Sequence, residues 1–425
     1  MATLNGTANA DTLAGGIDDD IIRGAAAADL LTGGAGNDTI YGATAAVDSV
    51  DGADTIDGED GADLIYGNAG ADSITGTAGN DLVFGGLGAD VINYIGSADA
   101  ATLNGNDGND IITGGTGNDI LKGGNDTDSL TGGAGSDTIF GGAAPVDTTD
   151  GKDTIDGGLG SDLIYANAGD DIITGSAGND TIYGGAGKDT INYFGNDDSA
   201  DFWGNDGDDT ITGGTQADVI RGGAGKDFLL GNEGDDTIYG AEGINGAIDD
   251  NDRIDGGSGN DLVYGNAGND TITGSSGGDT VHGGNGNDVL DFSSSASAVA
   301  LFGGDGTDVI SGGDNFDYIL GGADADVLTG GDGNDRFVYE TIYQSTATAS
   351  DVVTDFENTT PLLSNRDFFD LRGLGFTGIV AGAASGTDLG YEVLGTSTVI
   401  NDEAGIFRIT LTGVFTLTEA DFIFV

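Results

Sequence analysis

The fold class that the 425 residues predict is all-β, a repeat protein assembled from short strands, and three observations carry that expectation. Thr32-Gly33-Gly34-Ala35-Gly36-Asn37-Asp38-Thr39-Ile40 states a nine-residue unit, x-G-G-x-G-x-D-x-U with U apolar, which recurs from about Asn5 to Phe337. Glycine supplies 84 residues, yet only 2 are proline and 37% are apolar, so its regular spacing points to an ordered chain that requires glycine. A longer period sits above the first: Ile56, Ile155 and Ile254 are 99 residues apart, as are Tyr66, Tyr165 and Tyr264.

Each part of the unit has a physical reason. The paired glycines permit positive φ in a tight turn, where a Cβ would clash. The Asp carboxylate and the turn carbonyls supply hard oxygen donors, which suit Ca²⁺ and do not suit soft metals. The residues around U form a short strand with U pointing inward and its neighbours outward. Each 99-residue block, beginning at Ala14, Thr113 and Thr212, contains ten units: eight of nine residues, one of sixteen and one of eleven. The sixteen-residue units are Tyr41 to Ile56, Phe140 to Ile155 and Tyr239 to Ile254; the eleven-residue units are Asn93 to Leu103, Asn192 to Phe202 and Asp291 to Leu301. With two units to a coil, a block is five coils and its two long units bulge from opposite edges. Only nine of the glycines lie in Glu340 to Val425, which places a domain boundary near Tyr339. Alternation of apolar and polar residues, as in Phe407-Arg408-Ile409-Thr410-Leu411-Thr412, predicts that 340–425 is a small β-rich cap.

The repeated unit resembles the RTX nonapeptide-repeat family over roughly four fifths of the chain. That resemblance implies a calcium-loaded parallel β-roll, a β-solenoid, over 1–339, with roughly one Ca²⁺ per turn. In the family, each ion is shared by the Asp of one turn and backbone carbonyls of that turn and the next coil. Carried onto matching positions, the metal ligands are Asp38, Asp63, Asp72, Asp81, Asp90, Asp110, Asp119, Asp128, Asp137, Asp162, Asp171 and Asp180, continuing with Asp189, Asp209, Asp218, Asp227, Asp236, Asp261, Asp270, Asp279, Asp288, Asp308, Asp317 and Asp326. The eleven-residue units lack the matching Asp, and Arg23 to Leu31 has Ala25 and Ala27 for the turn glycines, so ion sites are not expected there. Asp351-Val352-Val353-Thr354-Asp355-Phe356, Asp367-Phe368-Phe369-Asp370-Leu371 and Asp421-Phe422-Ile423-Phe424-Val425 resemble the C-terminal region of serralysin-like proteins. This second resemblance implies an uncleaved secretion signal, the type I secretion machinery as a partner, and an extracellular or cell-surface location.

Charge sets the limits on partners. With 73 acidic against 11 basic side chains the formal charge is −62, which repels nucleic acid and anionic membrane surfaces. Removing the 12 acids and 3 bases of the C-terminal region leaves −53 on Met1 to Tyr339. Stacked at strand spacing, those carboxylates repel one another unless cations intervene; roughly two dozen calcium ions would cancel most of the charge, and their binding free energy would appear as folding free energy. The chain is therefore expected to be disordered without calcium and folded with it. The absence of Cys excludes disulfides and thiolate sites, and the lone His282 leaves no His-rich zinc site and no support for Ser-His or Cys-His catalysis. No enzyme is expected. No apolar run is long enough to span a membrane, and Met1 to Leu13 has no cleavable signal pattern.

The residues after U divide into two outer faces. One reads Arg23, Tyr41, Tyr66, Phe84, Asn104, then Lys122, Phe140, Tyr165, Tyr183, Trp203, then Arg221, Tyr239, Tyr264, His282, Phe302; the other is a Thr, Asp and Asn ladder beginning at Thr32 and Asp57. The aromatic ladder is either a structural stack between coils or an interaction surface. The function expected is a secreted structural protein of the cell surface or extracellular matrix, such as a surface-layer, sheath or filament subunit, that self-assembles into a homo-oligomer or polymer on binding calcium. The alternatives are an adhesin or carbohydrate-binding module with a surface glycan as partner, and an accessory module of an epimerase-type enzyme.

Overall fold

The computed structural model describes every residue except 47, 146, 147, 149, 244–249, 359–365 and 425, so parts of the three sixteen-residue units and Val425 of the C-terminal motif lie outside the described residues. The chain divides into two compact units, Met1–Ile211 and Thr212–Val425. In the first, successive strands alternate between two parallel sheets. Thr55–Asp60 lies in one sheet, Leu64–Ala69 in the other, Ser73–Thr75 in the first again and Leu82–Leu87 in the second again. The registers Leu64↔Leu82, Ile65↔Val83 and Tyr66↔Phe84 make two nine-residue units one coil of a parallel β-solenoid. Across a sixteen-residue unit the register lengthens to Leu30↔Thr55, and across an eleven-residue unit to Leu82↔Thr102. The two long units sit on opposite edges. One leaves the sheet of Tyr41 and enters that of Thr55; the other leaves the sheet of Asn93 and returns at Thr102.

The apolar U residues explain why the chain winds this way. Ile22, Leu31, Ile40, Ile56, Ile65, Ile74, Val83 and Ile92 are fully buried, while the residues flanking them are exposed or half-buried, as period-2 alternation requires. Both sheets therefore hide one face in the interior, and each short strand is stabilised mainly by the apolar area that its U residue removes from water. The glycine pair divides its work in a way the repeat did not reveal. Gly34 has φ of 103° and takes the left-handed turn, whereas Gly33 is required by close approach: a Cβ there would stand 2.6 Å from the Gly58 carbonyl oxygen and 2.7 Å from Asp38 Oδ2.

The second unit winds in the same manner, with Val263↔Val281 and Val281↔Leu301 in one sheet and Ile254↔Ile272 and Ile272↔Leu290 in the other. The composition change near Tyr339 falls inside this unit. Asp351–Val353 pairs parallel with Val327–Thr329, and Phe368–Asp370 with Arg336–Val338, so residues beyond the repeats extend both sheets. Asp388–Leu394, Ser397–Asn401 and Arg408–Thr412 then form an antiparallel meander joined to Asp351–Val353. Phe337, Phe356, Phe369 and Phe407, all buried, form the apolar centre of this end. No helix among the described residues is long and apolar enough to cross a membrane.

Candidate metal centre

The solenoid turns place the repeat aspartates in two columns, one along each edge. Along one edge of the first unit each Oδ1 accepts the backbone N–H of the Asp one coil earlier: Asp54 to Asp72 at 2.7 Å, Asp72 to Asp90 at 2.8 Å, Asp90 to Asp110 at 2.7 Å and Asp110 to Asp128 at 2.7 Å. The opposite edge repeats the pattern from Asp38 to Asp63 and from Asp63 to Asp81. In the second unit the columns run through Asp252, Asp270, Asp288, Asp308 and Asp326 on one edge and through Asp218, Asp236, Asp261 and Asp279 on the other. Every aspartate predicted as a ligand is buried in one of these columns.

The second carboxylate oxygen is the informative atom. Oδ2 of Asp38, Asp63, Asp72, Asp90, Asp128 and Asp137, and of Asp236, Asp261, Asp288 and Asp308, is buried without a hydrogen-bond partner. An ionised oxygen in that state is costly unless a cation meets it. The place for one is beside the first glycine of each unit. A Cβ on Gly67 would stand 2.5 Å from both Asp72 Oδ2 and the Gly85 carbonyl oxygen of the next coil; on Gly283 it would stand 2.5 Å from Asp288 Oδ2 and 2.6 Å from the Gly303 oxygen. The gap beside that glycine is walled by carboxylate and peptide carbonyl oxygens, the hard donor set that Ca²⁺ takes. Among the described residues no three carboxylates converge, so an ion here would be held by column aspartates together with backbone carbonyls. Residues and ion fit.

Electrostatics agree with that fit. Burial pushes Asp72 up to about 7, against the Asp54 N–H it accepts, and the neighbouring Asp90 charge adds to the rise. Asp189 is pushed up to about 8 by burial, and by Asp209 and Asp171 on either side of it. Carboxyls in this position hold protons near neutral pH unless a cation displaces them.

Several column members carry no full nonapeptide motif. Asp54, Asp153 and Asp252 end the sixteen-residue units, Asp20 and Asp29 precede them, and Asp351 and Asp367 follow, all buried; Asp335, in the intact unit Thr329 to Phe337, is a further buried column member outside the expected ligands. Asp326 donates its N–H to Asp351 Oδ1 at 3.1 Å and Asp335 donates to Asp367 Oδ1 at 3.0 Å, so both columns continue into the C-terminal region. A shorter signal marks them all: an Asp two residues before a buried apolar residue, as in Asp54 with Ile56 and Asp367 with Phe369. The eleven-residue units do lack the carboxylate, and Ala101, Ala200 and Val299 stand buried in its place. In the stretch Arg23 to Leu31, Ala25 adopts φ of 93° where glycine is usual, and Asp29 keeps its column bond to Asp54.

On the outside of one sheet the aromatic residues register in line and stack. Tyr41 and Tyr66 lie 5.3 Å apart and nearly parallel, Tyr66 and Phe84 5.0 Å, Phe140 and Tyr165 5.4 Å, Tyr165 and Tyr183 4.9 Å, and Tyr264 and His282 4.9 Å. Arg23, Lys122 and Arg221 lie over the first ring of each run. His282, stacked also on Phe302, has its pKa lowered by burial and serves as one more ring.

Comparison with known proteins agrees with the geometry. The chain matches the RTX calcium-binding nonapeptide repeat in overlapping segments, among them 5–40, 95–130, 147–182, 248–281 and 302–337. No curated protein matches it. Among solved structures it is similar to two repeat subunits of the mannuronan C5-epimerase of Azotobacter vinelandii. AlgE6R2 is 26% identical over 40% of this chain and 90% of that one, with a TM-score of 0.20; AlgE6R3 is 21% identical over 41% and 78%, with a TM-score of 0.19. The two columns and the family match together identify the chain as a member of the RTX calcium-binding nonapeptide-repeat family.

Proposed function

We propose that this calcium-binding repeat protein is a secreted structural component of the cell surface or extracellular matrix, a surface-layer, sheath or filament subunit that assembles once calcium fills its edges. The observation that supports this most is the pair of aspartate columns with buried, unpartnered Oδ2 atoms. Such edges stiffen only where free calcium is plentiful, and RTX repeat proteins are typically secreted into such surroundings. The role is noncatalytic. Type I export would deliver the chain unfolded, and calcium outside the cell would fold it. Negative-stain electron microscopy of metal-stripped protein, before and after millimolar calcium, tests the reading: ordered filaments or sheets are expected only with calcium. Isolated single particles at every concentration would sink it.

One observation favours an adhesin instead. In the first unit a cavity of about 450 Å³ lies between the ladder residues Tyr66 and Phe84 and the sixteen-residue segment at Ala46, Asp48 and Ser49. Against a sugar platform, both faces of Tyr66 are covered by Tyr41 and Phe84, leaving ring edges to solvent. Sugar stacking needs an open ring face.

A further inference from the structure

The two edges of the solenoid are not equivalent, and the difference lies in the eleven-residue units. Each of these carries one aromatic side chain turned inward: Tyr94, Tyr193 and Phe292 are 1%, 2% and 1% exposed. Their rings lie against the first glycine of a unit, on the side where other coils present oxygens. A Cβ on Gly76 would lie 2.5 Å from Cε1 and Cζ of Tyr94 and 2.6 Å from its hydroxyl oxygen; on Gly175 it would lie 2.7 Å from Cε1 of Tyr193; on Gly274 it would lie 2.5 Å from Cε1 of Phe292. At Gly67 and Gly283 the same point is bounded by a carboxylate oxygen and a carbonyl oxygen. The column aspartates beside the three rings are Asp81, Asp180 and Asp279, all among the ligands expected from the repeat.

From this geometry we infer that Tyr193 replaces a calcium ion, closing the oxygen cradle beside its eleven-residue unit, so that Asp180 holds no metal there; Asp81 and Asp279, beside Tyr94 and Phe292, keep an Oδ2 that is buried without a hydrogen-bond partner. The inference rests on calcium filling the open cradles elsewhere along the columns. The chemistry is clearest at Tyr193, whose hydroxyl donates to Asp180 Oδ2 at 2.9 Å and gives that oxygen the partner an ion gives its neighbours. The effect extends along the same edge. One coil beyond Asp81 the carboxylate is missing at Ala101, and at the next coil Gly115 N–H donates to Asp119 Oδ2 at 2.7 Å; in the second unit Val299 is followed by Gly313 N–H donating to Asp317 Oδ2 at 2.8 Å. Protein groups thus take over part of this edge. The opposite column, through Asp72, Asp90 and Asp110 or through Asp288, Asp308 and Asp326, has an Asp in every coil.

Calcium counting tests the inference without any activity. Full-length protein is saturated with calcium, passed through a desalting column, and its bound calcium per chain measured by plasma mass spectrometry. Asp171→Asn, in the column opposite Asp180, should lose one or two ions, and Asp180→Asn should lose none. Tyr193→Ala should gain one, whereas Tyr193→Phe should keep the wild-type count and melt at a lower temperature. An Asp180→Asn variant that loses calcium as Asp171→Asn does would overturn the inference, even if Tyr193→Ala fails to fold. Unchanged counts in both Asn variants would show that the columns are not the calcium ligands, and the family reading of these sites would fall first and this inference with it.

Discussion

The smallest unit fitted to hold calcium here is a glycine without a Cβ next to an aspartate with a spare oxygen. Gly67 shows why alanine cannot serve: its methyl would stand 2.5 Å from Asp72 Oδ2 and from the Gly85 oxygen, occupying the cradle. Gly67→Ala is therefore expected to lower the bound calcium by one ion and to cost roughly 1–3 kcal/mol, the range for overfilling a packed site. Calcium counting and a denaturant midpoint in excess calcium check both effects; an unchanged count would place the ion elsewhere. The residue scale is also where the motif proved too narrow. Reading ligands from the glycine-rich signature alone passed over Asp54, Asp153 and Asp252, because their turns are lengthened and the glycines shifted, while the Asp-x-apolar core of the signature was intact.

At the scale of elements, strands three to six residues long have little stability alone and depend on stacking with the coils on either side. The aromatic ladder adds to that stacking. Tyr165 lies between Phe140 at 5.4 Å and Tyr183 at 4.9 Å, both nearly parallel to it. Removing its ring in Tyr165→Ala forfeits two contacts worth about 0.5–1.5 kcal/mol each beyond area burial, so a loss of roughly 1–3 kcal/mol is expected in saturating calcium, with Tyr165→Phe close to wild type. A full-sized loss in Tyr165→Phe would shift the role from ring stacking to the hydroxyl. That aromatics line one face was legible, since alternation about U assigns faces directly. The parallel ring geometry was not, because the tilt of a side chain depends on its neighbours one coil away.

For the whole molecule, behaviour is governed by the charge of −62 and by what neutralises it. Without metal, burial raises the column carboxyls from an ordinary 3.8 to about 7, as at Asp72, Asp90 and Asp110. The folded chain then binds protons more tightly than the unfolded one between those values. Stability of metal-free protein should be greatest below about pH 4 and should fall as pH rises towards 7. Calcium reverses the dependence, since it binds the deprotonated form and is displaced by acid on descending through pH 7. Circular dichroism of metal-stripped and calcium-loaded samples across pH 4–8 should show opposite slopes. A metal-free strand signal that grows with pH would contradict the proton linkage of the columns.

Sequence by itself determined the coil, its two inner apolar columns, its two outer faces and the edges from which the long units leave. It could do so because strand register in this solenoid follows from chain period: a partner 18 residues on in one column, as Asp72 is to Asp90, is set by spacing alone. Tertiary structure decided what has no period. It brought Asp351 and Asp367 into line with Asp326 and Asp335 across 25 and 32 residues. It also turned the rings of Tyr94, Tyr193 and Phe292 inward, a direction that their 99-residue spacing does not announce. Those contacts depend on how an irregular segment packs against the coil it leaves, and packing of that kind is settled by shape and burial in three dimensions.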